Sequence, residues 1–257
     1  MVEAIAVASG KGGTGKTTAT LALGMALSSA YDVTVVDADT GMANLLFHAG
    51  LEDVPVTLHD LLVRDRTATV SDAVYRRFGM DIVPCGTSLE AFRAADPGRL
   101  TEVVAELARN TDVLLLDSPA TLGSRGAVLP IVLADRVVLV AQPTIPAITD
   151  GLKVQEYAIT YGTGIAGLLF NKVHEPEAVD RITDRTARYV EGPILGTVPM
   201  DDAAREARKA GTPLLEHAPE SEAATAFHEV SAALQIQEGA AGSVAERFRN
   251  AVIPDWP

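Results

Sequence analysis

The sequence contains very little cysteine and lysine, few aromatic residues and no long apolar run. Its one cysteine, Cys85, excludes both an intramolecular disulfide and a metal cluster held by cysteines. Lysine occurs only five times among 257 residues, and aromatic residues make up 5% of the chain. Every uninterrupted apolar run is shorter than the roughly 18 residues that a membrane-spanning helix needs. We therefore expect no transmembrane segment.

Positive charge is also scarce. The 34 acidic residues outnumber the 21 basic ones, which gives a formal net charge of −13. This balance disfavours general attraction to nucleic acid or anionic lipid. An acid-rich, lysine-poor composition is typical of a halophilic protein, and an ordinary acidic composition is the alternative. The first residues lack the basic and apolar regions of a secretory signal. We expect a cytoplasmic protein that contacts the cell membrane, if at all, peripherally from its inner face.

Short apolar segments bounded by turn residues alternate with segments of helical periodicity. The apolar segments are continuous, as in strands that are buried on both faces of a parallel sheet. The alternation predicts an α/β fold with a doubly wound, mostly parallel sheet and helices on both faces. We expect one domain over residues 1–236 and a tail over 237–257. The predicted strands are EAIAVAS, DVTVVDAD, DIVPCG, DVLLLDS, DRVVLVAQ, GIAGLLFN and PILGTVP, and the predicted helices cover residues 16–30, 97–110, 124–133, 146–161, 177–190, 201–210 and 220–236.

The strongest motif directly follows the first predicted strand. Residues 10–17, GKGGTGKT, satisfy the phosphate-binding pattern G-x-x-x-x-G-K-[ST], which matches by accident in roughly one such chain in a hundred. Glycines let backbone N–H groups surround phosphate oxygens, Lys16 brings positive charge to the β- and γ-phosphates, and the Thr17 hydroxyl can ligate Mg²⁺. The following helix points its N-terminus at the anion. We predict a nucleoside triphosphate site with Mg²⁺. Its loop residues are Gly12, Gly13, Thr14, Gly15, Lys16, Thr17 and Thr18.

Lys11 is an additional lysine that the phosphate-binding pattern does not require. With it, the GKGGTGKT loop resembles the signature of the MinD/ParA family of deviant Walker A ATPases, closest to the MinD-like proteins of archaea and bacteria. The resemblance implies a P-loop ATPase that forms a homodimer around ATP. It also implies that Lys11 reaches the phosphates of the partner subunit and acts there in catalysis. A solvated loop lysine is the alternative.

Two further predicted strands end in carboxylates. Asp37 and Asp39 follow DVTVV, and Asp117 ends DVLLL. Such groups can hold Mg²⁺ through water or orient an attacking water, and turn or helix-capping roles are the alternatives. The segments resemble switch I and switch II of MinD-type ATPases, although TLGSRG after DSPA departs from the usual continuation. The resemblance implies that Asp39 polarises the hydrolytic water, that Asp37 lies nearer the metal and that Asn44 lies beside the nucleotide.

Three later segments contain residues that indicate which nucleotide base is bound and how the expected dimer is held. Asn171 and Lys172 follow a predicted strand, and His174 stands where a guanine-binding N-K-x-D motif has its aspartate. We therefore expect adenine, bound by Asn171, with a plain strand-end turn residue as the alternative. The resemblance also places adenine against the segment that contains Pro199. It aligns Asp150 with an aspartate that meets the signature lysine across the dimer, and an acid at a helix N-terminus is the alternative there.

The remaining patterns are less informative. Arg181, Arg185 and Arg188 form a basic stripe that is interleaved with acids, which we interpret as a solvated helix face. The five histidines lack metal-ligand spacing, so we expect Mg²⁺ to bind together with the nucleotide. In the tail, Val244 and Phe248 begin an amphipathic pattern in the position of the membrane-targeting helix of MinD proteins. A frayed or domain-packed end is the alternative.

Together these features predict an ATPase of MinD/ParA type. We expect it to hydrolyse ATP to ADP and phosphate, and to position the division site, polar or motility machinery, or chromosome or plasmid cargo. An ATP-dependent homodimer and a protein partner that stimulates hydrolysis are part of this prediction. The alternatives are a small metabolic P-loop enzyme, such as a dethiobiotin-synthetase-like ligase, and a DNA-bound ParA partitioning ATPase. The acidic composition disfavours nucleic acid as a partner.

Overall fold

The computed structural model describes residues 2–120, 122–186 and 188–237. The predicted amphipathic pattern of the tail lies outside these residues. The strands are β1 (Glu3–Ala8), β2 (Val33–Asp37), β3 (Tyr75–Arg77), β4 (Met80–Val83), β5 (Val113–Asp117), β6 (Arg136–Ala141), β7 (Gly164–Val173) and β8 (Ile194–Pro199). The helices are α1 (Lys16–Leu27), α2 (Leu45–His48), α3 (Leu58–Leu61), α4 (Leu89–Ala94), α5 (Leu100–Leu107), α6 (Arg125–Leu133), α7 (Ile145–Thr160), α8 (Pro176–Thr186), α9 (Asp202–Lys209), α10 (Leu214–His217) and α11 (Glu222–Ala233), with 3₁₀ turns at Val70–Ala73 and Pro97–Arg99.

The eight strands form one sheet in the order β3-β4-β2-β5-β1-β6-β7-β8. Every neighbouring pair is parallel except β3 and β4 at one edge. This arrangement confirms the predicted doubly wound, mostly parallel α/β sheet. Within the described residues, no helix combines the length and the apolar character that crossing a bilayer requires.

Side-chain alternation along β1 divides the apolar core into two layers. Ala4 and Ala6 lie in the layer that includes residues of α5, α6 and α7, whereas Ile5 and Val7 lie in the layer that includes residues of α1 and α11. All four side chains are fully buried. Because both faces of the sheet are covered, its strands read as continuous apolar runs. The core therefore follows directly from the pattern that predicted the fold.

Some elements were not predicted. β3 is three residues long and contains two exposed arginines, so it lacks the apolar pattern of a strand. Helices α2, α3, α4 and α10 have four to six residues, which is too short for a helical period to be recognised. Helix α1 ends at Leu27 rather than at residue 30. There Ser28 Oγ donates to Met25 O, and Ser29 Oγ donates to Ala26 O, a local bond that competes with helix continuation.

The topology brings the candidate functional residues to one edge of the sheet. β1, β2 and β5 lead at their carboxyl ends into the segments that contain Lys16, Asp39 and Ser118, and Asn171 lies near the carboxyl end of β7. In the register of the β2–β5 pair, Asp37 lies opposite Asp117. Ligands of open α/β sheets bind outside the carboxyl ends of the strands. The functional site is therefore expected at this edge.

Candidate functional site

The loop between β1 and α1 approaches its neighbours so closely that two glycines are required. A side chain at Gly10 would collide with the backbone of Asp150, and one at Gly15 would collide with the Asn171 amide. Gly15 also has φ of 93°, which favours glycine, and forms the N-cap of α1. Helix α1 therefore starts at Lys16 with its free backbone N–H groups directed toward the loop.

The end of β7 holds this loop from the other side. Asn171 Nδ2 donates to Thr14 O over 2.8 Å, and Lys172 Nζ donates to Gly13 O over 2.7 Å. Lys172 has φ of 56°, in the left-handed region that non-glycine residues seldom adopt. These bonds satisfy two loop carbonyls and fix the loop against the end of β7. The position of Lys172 against the loop was not predicted.

Lys16 is buried, with 8% of its surface exposed. Burial lowers the pKa of its ammonium group, while the negative charges of Asp117 and Asp39 act in the opposite direction. Thr20 Oγ1 connects the same region, because it lies 2.9 Å from Lys16 O and 3.2 Å from Asp117 Oδ1. A buried cation is stabilised by a nearby anion. Lys16 is therefore prepared to receive a phosphate group.

Asp37 and Asp117 form a buried pair of carboxyl groups. Burial raises the pKa of Asp37 well above its usual value, and the charges of Asp117 and Asp39 raise it further. Burial also raises the pKa of Asp117 to about 6, against the effects of Thr17, Lys16 and Thr20. Asp37 accepts N–H bonds from Asp39 over 3.3 Å and from Leu45 over 3.2 Å. Two ionised groups in this position need a cation.

The residues at this edge fit Mg²⁺ bound together with a nucleotide. Among the described residues, no group of three or more histidine, cysteine, aspartate or glutamate side chains is arranged to hold a metal. Mg²⁺ usually takes one or two carboxylates, with substrate phosphates and waters completing its shell. Thr17, Asp37 and Asp117 supply oxygen atoms of the required kind, and a divalent cation would offset the buried charge of the two carboxylates.

Asp39 lies on the loop of residues 38–44, which we call the switch I loop. Its Oδ1 accepts a hydrogen bond from Met42 N over 3.0 Å, so the carboxylate is fixed within its own loop. Asp39 lines the same cavity as Lys16. A carboxylate in this position can accept a hydrogen bond from a water molecule near the end of a bound phosphate chain.

The cavity at this edge has a volume of about 460 Å³. Of the residues predicted to bind nucleotide or to act on it, those that line the cavity are Gly12, Gly13, Gly15, Lys16, Thr17, Thr18, Asp39, Asn44, Asn171 and Pro199. Asp37, Asp117 and Thr14 are buried just outside the lining. The sequence did not indicate four further lining residues, His48, Arg205, Arg208 and Phe227. No motif marked them, because they come from short or late helices that only the fold brings together.

Lys11 and Asp150 lie beside the cavity rather than in its lining. Lys11 Nζ lies 3.2 Å from Asp150 Oδ2, and Lys153 Nζ lies 2.8 Å from Asp150 Oδ1. The resemblance implied a contact between Lys11 of one subunit and Asp150 of the other. In the single chain, the two side chains of the same subunit meet, because the Lys11 loop runs directly past α7.

Comparison with known proteins identifies the family of this site. Residues 5–214 match the family described as the CobQ/CobB/MinD/ParA nucleotide binding domain. The chain belongs to this family. An uncharacterized ATP-binding protein of Methanocaldococcus jannaschii is 40% identical over 236 residues, which cover 91% of this chain and 88% of that protein. Residues 5–214, which match the family, span the phosphate loop, both carboxylate segments and Asn171, so the MinD/ParA-type recognition made from the motifs is confirmed.

Two solved structures are similar over nearly the whole described chain. MinD of Pyrococcus furiosus, described as a cell division ATPase, superposes with a TM-score of 0.82 at 34% identity and covers 91% of this chain and 98% of its own. The septum site-determining protein MinD of Pyrococcus horikoshii, in complex with Mg-ADP, has a TM-score of 0.80 at 35% identity, with 90% and 95% covered. This chain therefore has the fold of the MinD ATPases.

Proposed function

We propose that this protein is an ATPase of MinD type that binds ATP with Mg²⁺, dimerises around it and hydrolyses it to ADP and phosphate. The observation that carries the proposal is that Lys16 and Asp39 line one cavity together with three glycines of the phosphate loop. A phosphate-binding cation and a water-orienting carboxylate in one cavity are the parts that hydrolysis of a phosphoanhydride needs. The Mg-ADP bound to the Pyrococcus horikoshii relative supports this assignment.

Each residue has a distinct role in this proposal. Lys16 and the loop N–H groups bind the β- and γ-phosphates and stabilise the charge that develops during transfer. Asp39 accepts a hydrogen bond from the attacking water and orients it toward the γ-phosphate. Thr17, Asp37 and Asp117 would hold Mg²⁺, which neutralises phosphate charge when it is bound. Asn171, which lines the same cavity, would bind the adenine ring.

The dimer completes the proposed site. Lys11 is half exposed, with 47% of its side chain accessible, and it does not line the cavity of its own subunit. A lysine in this position is free to serve the site of a second copy, as the resemblance implied. In a two-fold symmetric dimer both sites would be completed in the same way. Transfer of Lys11 from Asp150 to the partner's phosphates would couple nucleotide state to assembly.

The biological role that we propose is the positioning of other cell components through this cycle. The names of the two Pyrococcus relatives refer to septum placement and to cell division, which supports a related role. A protein partner that stimulates hydrolysis, action in the cytoplasm and membrane contact through the tail of residues 237–257 belong to the same proposal.

The experiment that tests this function measures ATP binding by calorimetry and phosphate release with no second substrate added. We expect Lys16→Ala to weaken ATP binding about a hundredfold or more, because a charged hydrogen-bond donor is lost. Asp39→Ala should keep the binding but slow the hydrolysis by about a hundredfold. Lys209→Ala, in an exposed position of α9, is the matched control. Near-normal ATP affinity of Lys16→Ala, or the parental rate in Asp39→Ala, would contradict the assignment. Phosphate release only after addition of a metabolite would favour the ligase alternative.

A further inference from the structure

His59 is a buried histidine outside the nucleotide cavity, and its ring contacts the switch I loop. Only 1% of its surface is exposed, and its Nε2 lies 3.0 Å from the carbonyl oxygen of Thr40. A carbonyl oxygen can only accept a hydrogen bond, so Nε2 carries the hydrogen and donates it. Thr40 directly follows Asp39, the residue proposed to orient the attacking water. His59 thus contacts the residue next to Asp39.

The other ring nitrogen of His59 has no hydrogen-bond partner among the described residues. Nδ1 is buried, and the backbone of Gly86 packs close to it, so that a Cβ added at Gly86 would lie 3.4 Å from this nitrogen. Phe92 contacts the ring edge-on at a centroid distance of 6.2 Å. A buried nitrogen without a partner is unfavourable. An apolar side chain would avoid this cost, so the bond to Thr40 is the property that distinguishes histidine here.

Helix α3 provides a fixed base for the ring. Thr57 and Asp60 form a capping box at its start, in which Asp60 Oδ2 accepts from Thr57 N over 2.8 Å. Leu58 N donates to Pro84 O over 2.8 Å, which connects α3 to the residue after β4. The position of His59 is therefore set by the sheet and not by the switch I loop that it contacts.

Thr40 is held on its opposite side by the start of α6. The residue is buried, with 8% of its surface exposed, and its Oγ1 would lie 3.6 Å from a Cβ added at Gly126. The same added Cβ would lie 3.6 Å from Pro97. The switch I loop is thus packed between α3 and the helix that follows switch II. Movement of His59 would release one of these two supports.

We infer that His59 is a positioning residue for ATP hydrolysis, because its Nε2–H fixes the Thr40 carbonyl and through it the Asp39 carboxylate. The inference rests on the proposed function. His59 does not touch the nucleotide cavity, so its loss should affect the rate constant of hydrolysis rather than the binding of ATP. A displacement of about 1 Å at a reacting group can lower a rate by about a hundredfold.

Two substitutions separate this role from simple packing. His59→Gln keeps an N–H donor that can reach the Thr40 carbonyl, whereas His59→Leu keeps the size but has no donor. We expect the leucine variant to lose about tenfold or more in kcat, with KM and the calorimetric ATP affinity within about twofold, and the glutamine variant to recover most of the rate. His217→Leu, in an exposed position of α10, is the matched control. A folded His59→Leu variant with the parental kcat would overturn the inference.

A second measurement does not depend on turnover. Hydrogen–deuterium exchange of peptides that cover residues 38–44 should be faster in His59→Leu than in the parent, and close to the parent in His59→Gln. If the leucine variant does not fold, His59→Asn replaces it, because its shorter amide cannot reach Thr40. Equal exchange in all variants would contradict the positioning role. A parent that binds ATP but never hydrolyses it would contradict the proposed function, and the exchange result would still decide the role of His59.

Discussion

Lys11 Nζ lies 3.2 Å from Asp150 Oδ2 of the same chain, and the other oxygen of Asp150 forms an ion pair with Lys153. Hydrogen bonds from Lys153 and Lys11 lower the pKa of Asp150, so the carboxylate stays ionised at neutral pH. The pair holds Lys11 beside its own loop without directing it into its own cavity. In the proposed cycle this is the state from which Lys11 moves to the partner's phosphates.

The exposed position of this pair predicts that Lys11→Ala leaves the folding of the monomer almost unchanged. Exposed ion pairs contribute little to stability because water and salt screen them. We expect the thermal midpoint to shift by no more than about 4 °C, and Lys153→Ala to behave in the same way. Circular dichroism without nucleotide measures this. A large loss of stability in Lys11→Ala would mean that Lys11 has a structural role and that its other effects cannot be assigned to the dimer.

Asp117→Asn should stabilise the nucleotide-free protein at neutral and alkaline pH. The pKa of Asp117 is about 6 in the folded chain against 3.8 for an ordinary aspartate. Since the folded value is raised, the ionised carboxylate destabilises the fold, and stability is lost as pH rises from about 3.8 to about 6. Two pKa units correspond to about 3 kcal/mol, or about 6 to 12 °C in the thermal midpoint.

The measurement compares thermal midpoints of parent and Asp117→Asn at pH 4 and pH 8 in matched salt. The variant should gain at pH 8 and gain little at pH 4, because pH 4 is close to the unfolded pKa of 3.8 and little of the loss has occurred there. Its Mg²⁺-dependent ATP affinity should fall. A gain that does not depend on pH would show that the buried charge is not the cause.

The base preference follows from the surroundings of Asn171. Its Nδ2 donates to Thr14 O, and its Oδ1 accepts from Lys172 N over 2.9 Å. The remaining lone pair of Oδ1 can accept a hydrogen bond from the amino group of adenine. Guanine would present an oxygen there, which cannot donate a hydrogen bond. We expect ATP to bind about tenfold or more tightly than GTP. Competition between ADP and GDP controls for the γ-phosphate, and equal displacement by both bases would refute the adenine assignment.

Much of this site could be predicted from the sequence because its chemistry lies in contiguous motifs. The phosphate loop needs glycines and Lys16 at fixed spacing, and the continuous apolar strands before Asp37 and Asp117 predict that both carboxylates lie at strand ends, where sites of open α/β sheets form. The contact of Lys172 with the phosphate loop and that of His59 with the switch I loop could not be predicted. Lys172 depends on a left-handed backbone at the end of β7, and His59 depends on the position of the loop that follows β2. Neither leaves a periodic pattern in the sequence.

The short elements escaped prediction for a related reason. β3 is an edge strand whose exposed arginines face solvent, so no apolar alternation marks it. Helix α2 has only four residues and contributes His48 to the cavity. Helix α9 was predicted, but nothing in its sequence indicated that its Arg208 lines the cavity. Burial and the nearby charge of Arg208 lower the pKa of His48 to about 4, so the imidazole that lines the cavity is neutral at physiological pH. Such pairs are defined by tertiary packing alone.

The measurement that tests the central claim most directly is the mass of the protein in solution by light scattering. The Asp39→Ala background is used because it should hold ATP without hydrolysing it, and the salt concentration is matched to the native one because an acidic chain repels itself at low salt. The account predicts a dimer at saturating ATP with Mg²⁺ and a monomer with ADP. It also predicts loss of the ATP dimer in the Lys11→Ala double variant, but not in a Lys153→Ala double variant. A protein that stays monomeric at saturating ATP, or a dimer that persists unchanged without Lys11, would contradict the account.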